Sequence, residues 1–328
     1  MTTPSVSIAV VTYNSAKTIL ETLESIKVQT YPNLELIISD DCSTDHTVSL
    51  CREWVEKNKE RFDRVELITA EKNTGVSANF NRAEAACQGE WVKPIAGDDL
   101  LMPNCIEECV NYAEKHPDAY AIFGRAKAFG ASMEECEKWD KNIDNSSLAL
   151  PAEQLLHKLY QGNCISAVSY FYNRNAISEL NIHNDERIPL LEDWPKWINM
   201  LRAGIKFHYI DKVLVKYRLN GISTGKRSSL KYFESERLMR FCYLYPEWMQ
   251  EDADMAVKHI VEEECNLYKQ LLEAESEDAG LIHKQRDEYR QQYEKYFERY
   301  TQIHNSWAYR IGKMILKPFN YLRKLRNV

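Results

Sequence analysis

Over the first 125 residues, short apolar runs alternate with amphipathic stretches, and a polar cluster closes most runs. Val6-Ser7-Ile8-Ala9-Val10-Val11 is β-branched and nearly continuous, which predicts a strand buried on both faces. Thr12-Tyr13-Asn14-Ser15 breaks it, and Ile19, Leu20, Leu23 and Ile26 then recur at helical spacing. Leu34-Glu35-Leu36-Ile37-Ile38 predicts a second strand, closed by Asp40-Asp41-Cys42-Ser43. Thr44 or Asp45 is placed to cap the next helix, whose apolar face carries Val48, Cys51, Trp54 and Val55. Val65–Ile68 reads as a third strand, Asn73-Thr74-Gly75 as a loop, and Ser77 to Cys87 as a helix ending at Gly89. Trp91–Ile95 reads as a fourth strand before Gly97-Asp98-Asp99, Pro103 marks a helix start, and Ala119 to Phe123 reads as a fifth strand.

The later pattern is less regular. Residues 130–150 have no clear period and read as an irregular excursion over the sheet. Leu155 to Tyr160 predicts a helix and Ala167 to Tyr172 a strand. Leu191, Trp194, Trp197, Ile198 and Leu201 make one helical stripe, and Lys206–Ile210 and Val213–Arg218 read as two strands paired around Asp211-Lys212. From Ser228 the pattern is helical, with Tyr289, Tyr293, Tyr296 and Tyr300 spaced as a short coiled-coil-like seam or as one face of a docked helix. The expected organisation is a catalytic domain over 1–225, a helical extension over 226–305 and a basic amphipathic tail over 306–328. Strand-helix alternation predicts an α/β fold with a mostly parallel sheet, which binds ligands at the carboxyl ends of its strands. The polar clusters fall at those ends.

Composition narrows the class. The chain has 328 residues, 44% hydrophobic and 28% charged, with mean hydropathy −0.51, which excludes disordered, collagen-like and multi-span membrane proteins. No run approaches the roughly 20 apolar residues of a membrane span, and residues 1–5 do not resemble a signal peptide. The 9 Cys show no C-x-x-C pair and no zinc spacing, so a reducing compartment is expected.

The net charge of −7 hides an asymmetry. Residues 306–328 carry six cations and no acid; without them 36 basic residues face 49 acidic ones. The acidic body argues against nucleic acid. The tail sets Trp307, Ile311, Met314, Ile315, Phe319, Leu322 and Leu325 on one helical face among cations, which suits an anionic membrane surface better than internal packing. The expected location is cytoplasmic, peripheral on the inner face of the cell membrane.

Three paired carboxylates carry the candidate chemistry: Asp40-Asp41, Asp98-Asp99 and Glu192-Asp193. Adjacent carboxylates repel unless a cation neutralises them. Mg²⁺ or Mn²⁺ bridging to a diphosphate is the usual remedy, against the plain alternative of solvated turns and caps. Neither G-x-G-x-x-G nor a P-loop is present, the 8 His lack H-x-x-x-H spacing, and Asn163-Cys164-Ile165 has no base nearby in sequence. Cys105, Cys109, Trp194 and Trp197 read as core.

In order, Val10-Val11-Thr12-Tyr13-Asn14, Ile38 to Asp45, Asn73-Thr74-Gly75, Gly97-Asp98-Asp99 and Leu191-Glu192-Asp193-Trp194 resemble the signatures of family 2 glycosyltransferases over roughly the first 220 residues. The resemblance implies a GT-A fold, a nucleotide-diphosphate-sugar donor, a divalent metal (Mg²⁺ or Mn²⁺) and inversion at the anomeric carbon. Carried onto this sequence, Thr12 and Tyr13 would line the base and ribose. Asp41 would accept from a uracil or thymine imide, with Asp40 supporting the turn. Lys72 and Asn73 would border the diphosphate, Asp99 would be the metal ligand, and Asp98 would contact the donor. Asp193 would be the general base with Glu192 beside it, and Tyr217-Arg218 would lie near the donor. The expected partners are a UDP- or dTDP-sugar, a glycan or lipid-linked acceptor, the membrane surface and a second copy of the chain. The rival readings are a polyprenyl-phosphate sugar transferase, which needs cations such as Lys196 and Arg202 near Asp193, and a catalytically silent dimerising scaffold.

Overall fold

The computed structural model describes residues 3–142, 145–219, 230–251 and 260. The chain divides into two compact units, Met1–Ala256 and Val257–Val328, and the fold below is that of the first. The Tyr-rich seam and the basic tail lie outside the described residues.

Strands β1 (Val6–Thr12), β2 (Leu34–Asp40), β3 (Arg64–Thr69) and β4 (Trp91–Ala96) are separated by helices α1 (Ile19–Lys27), α2 (Thr47–Asn58) and α3 (Val76–Ala86). β5 (Leu100–Leu101), α4 (Cys105–Lys115), β6 (Ala121–Phe129), α5 (Met133–Asn142) and α6 (Ala152–Leu159) follow. Next come β7 (Phe171–Asn173), α7 (Arg174–Glu179), α8 (Asp193–Arg202), β8 (Phe207–Arg218), α9 (Leu230–Met239) and α10 (Tyr245–Glu251). The strands form one eight-stranded sheet in the order β3-β2-β1-β4-β7-β6-β8-β5.

β3, β2, β1 and β4 are mutually parallel, and β7 joins antiparallel between β4 and β6. Every residue of β1 and β2 is buried, as their near-continuous apolar runs require. Val6, Ile8 and Val10 pack with Ile19, Leu23 and Ile26 of α1 in the main core, while α3 packs against β1 and β2. The order of strands turns back at β1: β2 and β3 lie to one side of it and β4 to the other. Such a reversal opens a crevice at the carboxyl ends of the two central strands. Thr12 and Gly97 stand there.

Three expectations are corrected. The strand foreseen over Ala167 to Tyr172 begins only at Phe171, after a 3-10 turn over Ala167–Ser169. Lys206–Ile210 and Val213–Arg218 are not a hairpin: they are one strand, β8, running parallel to β6 with register shifts beside Arg125. Asp211 and Lys212 are exposed at this irregularity, so the polar pair marks a bulge in a continuous strand. Residues 130–150 are not irregular throughout. They hold α5, a mostly exposed helix anchored by Trp139, whose ring stacks on Tyr217 at 4.9 Å, and by Asp140, which accepts from the Ala128 N–H at 2.8 Å. Cys105, Cys109, Trp194 and Trp197 are core residues, as their spacing predicts.

Candidate active site

The site is built on three strand ends. Register sets Thr12 opposite Asp40, and the Asp41 N–H donates to Thr12 O at 2.9 Å. Asp40, fully buried, accepts from the Ser43 N–H at 2.8 Å and from the Ser43 hydroxyl, closing the turn after β2. The Asn14 N–H donates to Ser43 Oγ and Asn14 Oδ1 accepts from the Thr44 N–H, both at 2.8 Å, so the turns after β1 and β2 are laced together.

Asp41 holds the next loop. Its carboxylate accepts from the Thr74 N–H at 3.0 and 3.1 Å, the Thr74 hydroxyl at 2.6 Å and the Gly75 N–H at 2.8 Å, and it pairs with Arg82 at 3.3 Å. Arg82 also donates to Thr74 Oγ1 at 2.7 Å and Asn79 Oδ1 at 3.0 Å. A carboxylate has about four lone-pair directions, and these four donors take them up; the longest, Arg82, is the one a ligand would displace most easily. Lys72 and Asn73 are exposed on this loop, and Tyr13, directly after β1, is half-buried.

Gly75 has φ +91°, and a Cβ there would lie 2.8 Å from Pro189 Cβ. Only glycine suits both the left-handed backbone and that approach. The contact is structural: Pro189 O accepts from the Val76 N–H at 3.0 Å, and Ile188 O from the Ser77 hydroxyl at 2.6 Å. The segment that leads into Glu192-Asp193 is thereby seated on the first turn of α3.

Gly97-Asp98-Asp99 follows β4. The Gly97 N–H donates to Val11 O at 2.8 Å, and Thr18 Oγ1 donates to Gly97 O at 2.8 Å. Asp99, only 3% exposed, accepts the Arg218 N–H on Oδ1 at 2.8 Å. The Arg218 side chain donates from Nε to Asp98 O at 2.8 Å, reaches Glu21 at 2.7 Å and lies over the Phe129 ring at 4.4 Å. Burial, and next the Asp98 charge, push the Asp99 carboxyl up to about 8 despite Arg218. Lys93 and Arg218 are the chain's own positive charges acting on Asp99, and a bound cation would add to them. Among the described residues no group of three or more His, Cys, Asp or Glu is arranged to hold a metal. The donor set is one or two carboxylates, which fits Mg²⁺ or Mn²⁺ completed by phosphate and water oxygens.

Glu192 and Asp193 open α8. Asp193 accepts from Asn163 Nδ2 at 2.9 Å on one oxygen and from the Trp194 N–H at 2.7 Å on the other. Burial, and then the Asp193 charge, push Glu192 up to about 8, so it carries its proton at neutral pH. Lys196, 2% exposed, is locked to Glu84 of α3 at 2.8 and 3.0 Å over the Tyr172 ring. Arg202 pairs with Glu247 and donates to the Tyr160 hydroxyl at 3.1 Å. Lys196 and Arg202 are therefore both already paired, the first buried and the second at the surface.

The sequence model of glycosyl transferase family 2 matches residues 7–177, just over half of the chain. The chain belongs to glycosyl transferase family 2. EpsE of Bacillus subtilis (strain 168), provisionally named a glycosyltransferase, is 35% identical over 226 residues, covering 69% of this chain and 77% of EpsE. TuaG of the same organism, provisionally named a teichuronic acid biosynthesis glycosyltransferase, is 25% identical over 242 residues, covering 72% of this chain and 90% of TuaG. Among solved structures, the S. aureus TarS fragment 1–349 in complex with UDP-GlcNAc aligns with TM-score 0.58 at 20% identity, over 75% of this family member. The match spans 66% of that fragment, 65% of the same fragment in complex with UDP, and 40% of the longer TarS chain. The likeness shows the GT-A architecture that the strand order implies.

Of the residues expected from sequence, Thr12 meets Asp40 and Asp41, and Arg218 meets Asp98 and Asp99, at neighbouring strand ends, while the segment before Glu192-Asp193 is seated on α3 through Ile188-Pro189. Sequence reasoning missed Arg82, Thr74 as an anchor of Asp41, and Asn163. Arg82 and Asn163 reach their carboxylates across 41 and 30 residues, and no local pattern marks them.

Proposed function

We propose that this chain transfers a sugar from a uridine or thymidine diphosphate donor to an acceptor hydroxyl, with inversion, in bacterial surface polysaccharide synthesis. The observation that carries the reading is the buried Asp98-Asp99 pair, tied to Arg218 at the reversal of strand order. The TarS complexes with UDP and UDP-GlcNAc and the name of TuaG favour the donor class and the pathway class.

Inversion needs a direct displacement, with one carboxylate taking the acceptor hydroxyl's proton on the face opposite the leaving group. Asp193 is the base: Asn163 and its own helix N-terminus orient it, and protonated Glu192 next to it leaves a single charged acceptor for the proton. A Mg²⁺ or Mn²⁺ held by Asp99 would neutralise the diphosphate leaving group. Asp98 faces the donor, Lys72 and Asn73 border the diphosphate, and Tyr13 lines the base and ribose, with Thr12 beneath the turn at Gly97. Asp41 accepts the pyrimidine imide in exchange for its longest partner, Arg82 at 3.3 Å.

The polyprenyl-phosphate reading is disfavoured, because Lys196 and Arg202 already pair with Glu84 and Glu247. A silent scaffold would not retain a carboxylate pair so costly to bury. The cations and apolar stripe of 306–328 support a location on anionic membrane, next to a glycan or lipid-linked acceptor. Thermal shift of the full chain with UDP, dTDP and GDP, each with and without Mn²⁺, tests the donor class. UDP or dTDP should stabilise the protein, and more with Mn²⁺. Stabilisation by GDP alone would refute the assignment.

A further inference from the structure

A second concavity lies beside the site. It is a cleft of about 610 Å³ between α3, the 181–187 loop, α8 and the π-helical turn Arg240–Leu244. Most of its lining residues carry polar groups: Asn81 from α3, Asn184 and Glu186 from the loop, Asn199 from α8 and Tyr243 from the π turn. The walls are also fixed. Asn81 Nδ2 donates to Asn184 O and to Glu186 Oε1, both at 2.9 Å, and Asn81 Oδ1 accepts from the Asn184 N–H at 2.9 Å. The Tyr243 hydroxyl donates to Asp185 at 2.9 Å, and Asp185 is clamped by Arg187 at 2.6 Å.

Two backbone irregularities frame the cleft. The π turn presents Tyr243, and π turns inside helices concentrate at functional sites. Asn181 at the loop's start has φ +52°. Neither irregularity is needed by the donor site described above.

The chemistry selects the ligand. Asp185 and Glu186 outnumber Arg187, so an anion is disfavoured. With Asn81, Asp185 and the Tyr243 hydroxyl held by one another, Glu186 and Asn199 present the acceptor oxygens that face a ligand, which suit the hydroxyl donors of a neutral polyol. Asn199 makes only one long contact, Nδ2 to the Tyr243 hydroxyl at 3.5 Å, so among the described residues its Oδ1 has no partner. The position selects the role. Asn81 lies five residues along α3 from Val76, about 7.5 Å, and Asn199 six residues along α8 from Asp193, about 9 Å. The loop that lines the cleft runs directly into Ile188-Pro189 and then Glu192-Asp193.

We infer that this cleft binds a neutral sugar residue of the acceptor glycan, set back from the residue whose hydroxyl is glycosylated. The inference rests on the transferase reading above. It makes the enzyme one that reads an acceptor chain longer than a single sugar.

Calorimetry and saturation-transfer NMR on the full chain with maltotetraose and chitotetraose as neutral probes, and tetragalacturonate as an acidic one, test this. At least one neutral probe should bind. Asn199→Ala and Tyr243→Phe should each weaken it about fivefold, the effect of one hydrogen bond. UDP binding with Mn²⁺ should not change, which also shows that the variants are folded. Loss of UDP binding by wild type would instead sink the transferase reading. If UDP binds while neither neutral probe does, or only the acidic probe binds, or the variants bind as wild type does, the inference is overturned.

Discussion

The Arg218 N–H donates to Asp99 Oδ1 at 2.8 Å, across 119 residues of sequence. The same arginine donates from Nε to Asp98 O and lies over Phe129, so the end of β8 is fastened to the turn after β4. Arg218→Lys keeps the charge and the backbone bond but loses the planar fork. The turn should then hold its carboxylates less well, weakening UDP in Mn²⁺ by about 1.5 kcal/mol, or roughly tenfold. UDP affinity without metal should be nearly unchanged. Calorimetry with and without Mn²⁺ checks both; equal loss in the two conditions would contradict a role at the carboxylate turn.

Lys196 and Glu84 tie α8 to α3. Lys196→Met leaves Glu84 without its cation in a nearly dry contact, with an expected loss of about 3–5 kcal/mol in urea unfolding. Adding Glu84→Leu should recover most of it, since an apolar pair needs no counter-charge. A double variant no more stable than Lys196→Met would show that the pair is not the cause.

Glu192 gives a pH signature. Unfolded, it releases its proton near 4.5; folded, it keeps it up to about 8. Between those values the folded state binds more protons, so this residue's contribution to stability falls as pH rises through the window. Glu192→Gln should flatten the decline, with its gain in melting temperature over wild type larger at pH 8 than at pH 5. Parallel curves for the two proteins would show that folding does not raise the Glu192 carboxyl.

Much of this was legible in the sequence, for physical reasons. Val6–Val11 and Leu34–Ile38 are buried on both faces, so their strands advertise themselves without context, and the carboxylates after β2 and β4 follow from strand ends. β8 misled because Asp211-Lys212 has turn composition; a bulge and a turn differ only in what the neighbouring strand does. α5 escaped notice because it is mostly exposed and has little apolar stripe beyond Cys136 and Trp139. Arg82, Asn163 and the Glu84–Lys196 pair are contacts between segments far apart in the chain, which no local pattern reveals.

The tail carries a separate expectation. Its six cations contribute roughly 1 kcal/mol each at an anionic surface at best, and salt weakens them. Ending the chain at Asn305 should release it from phosphatidylserine-containing vesicles in a flotation assay and leave UDP binding intact. Full-length protein that ignores such vesicles at low salt would remove the membrane role and favour an oligomer interface.

The central claim is that Asp193 is the base in transfer from a pyrimidine nucleotide sugar. Release of nucleoside diphosphate from UDP- and dTDP-sugars, measured with Mn²⁺ for wild type and Asp193→Asn, tests it most directly. Wild type should turn over at least one donor. The variant should bind that donor nearly as well and lose about 10²–10⁴-fold in kcat. No turnover by wild type with any such donor, or a variant within tenfold of wild type, would contradict the account.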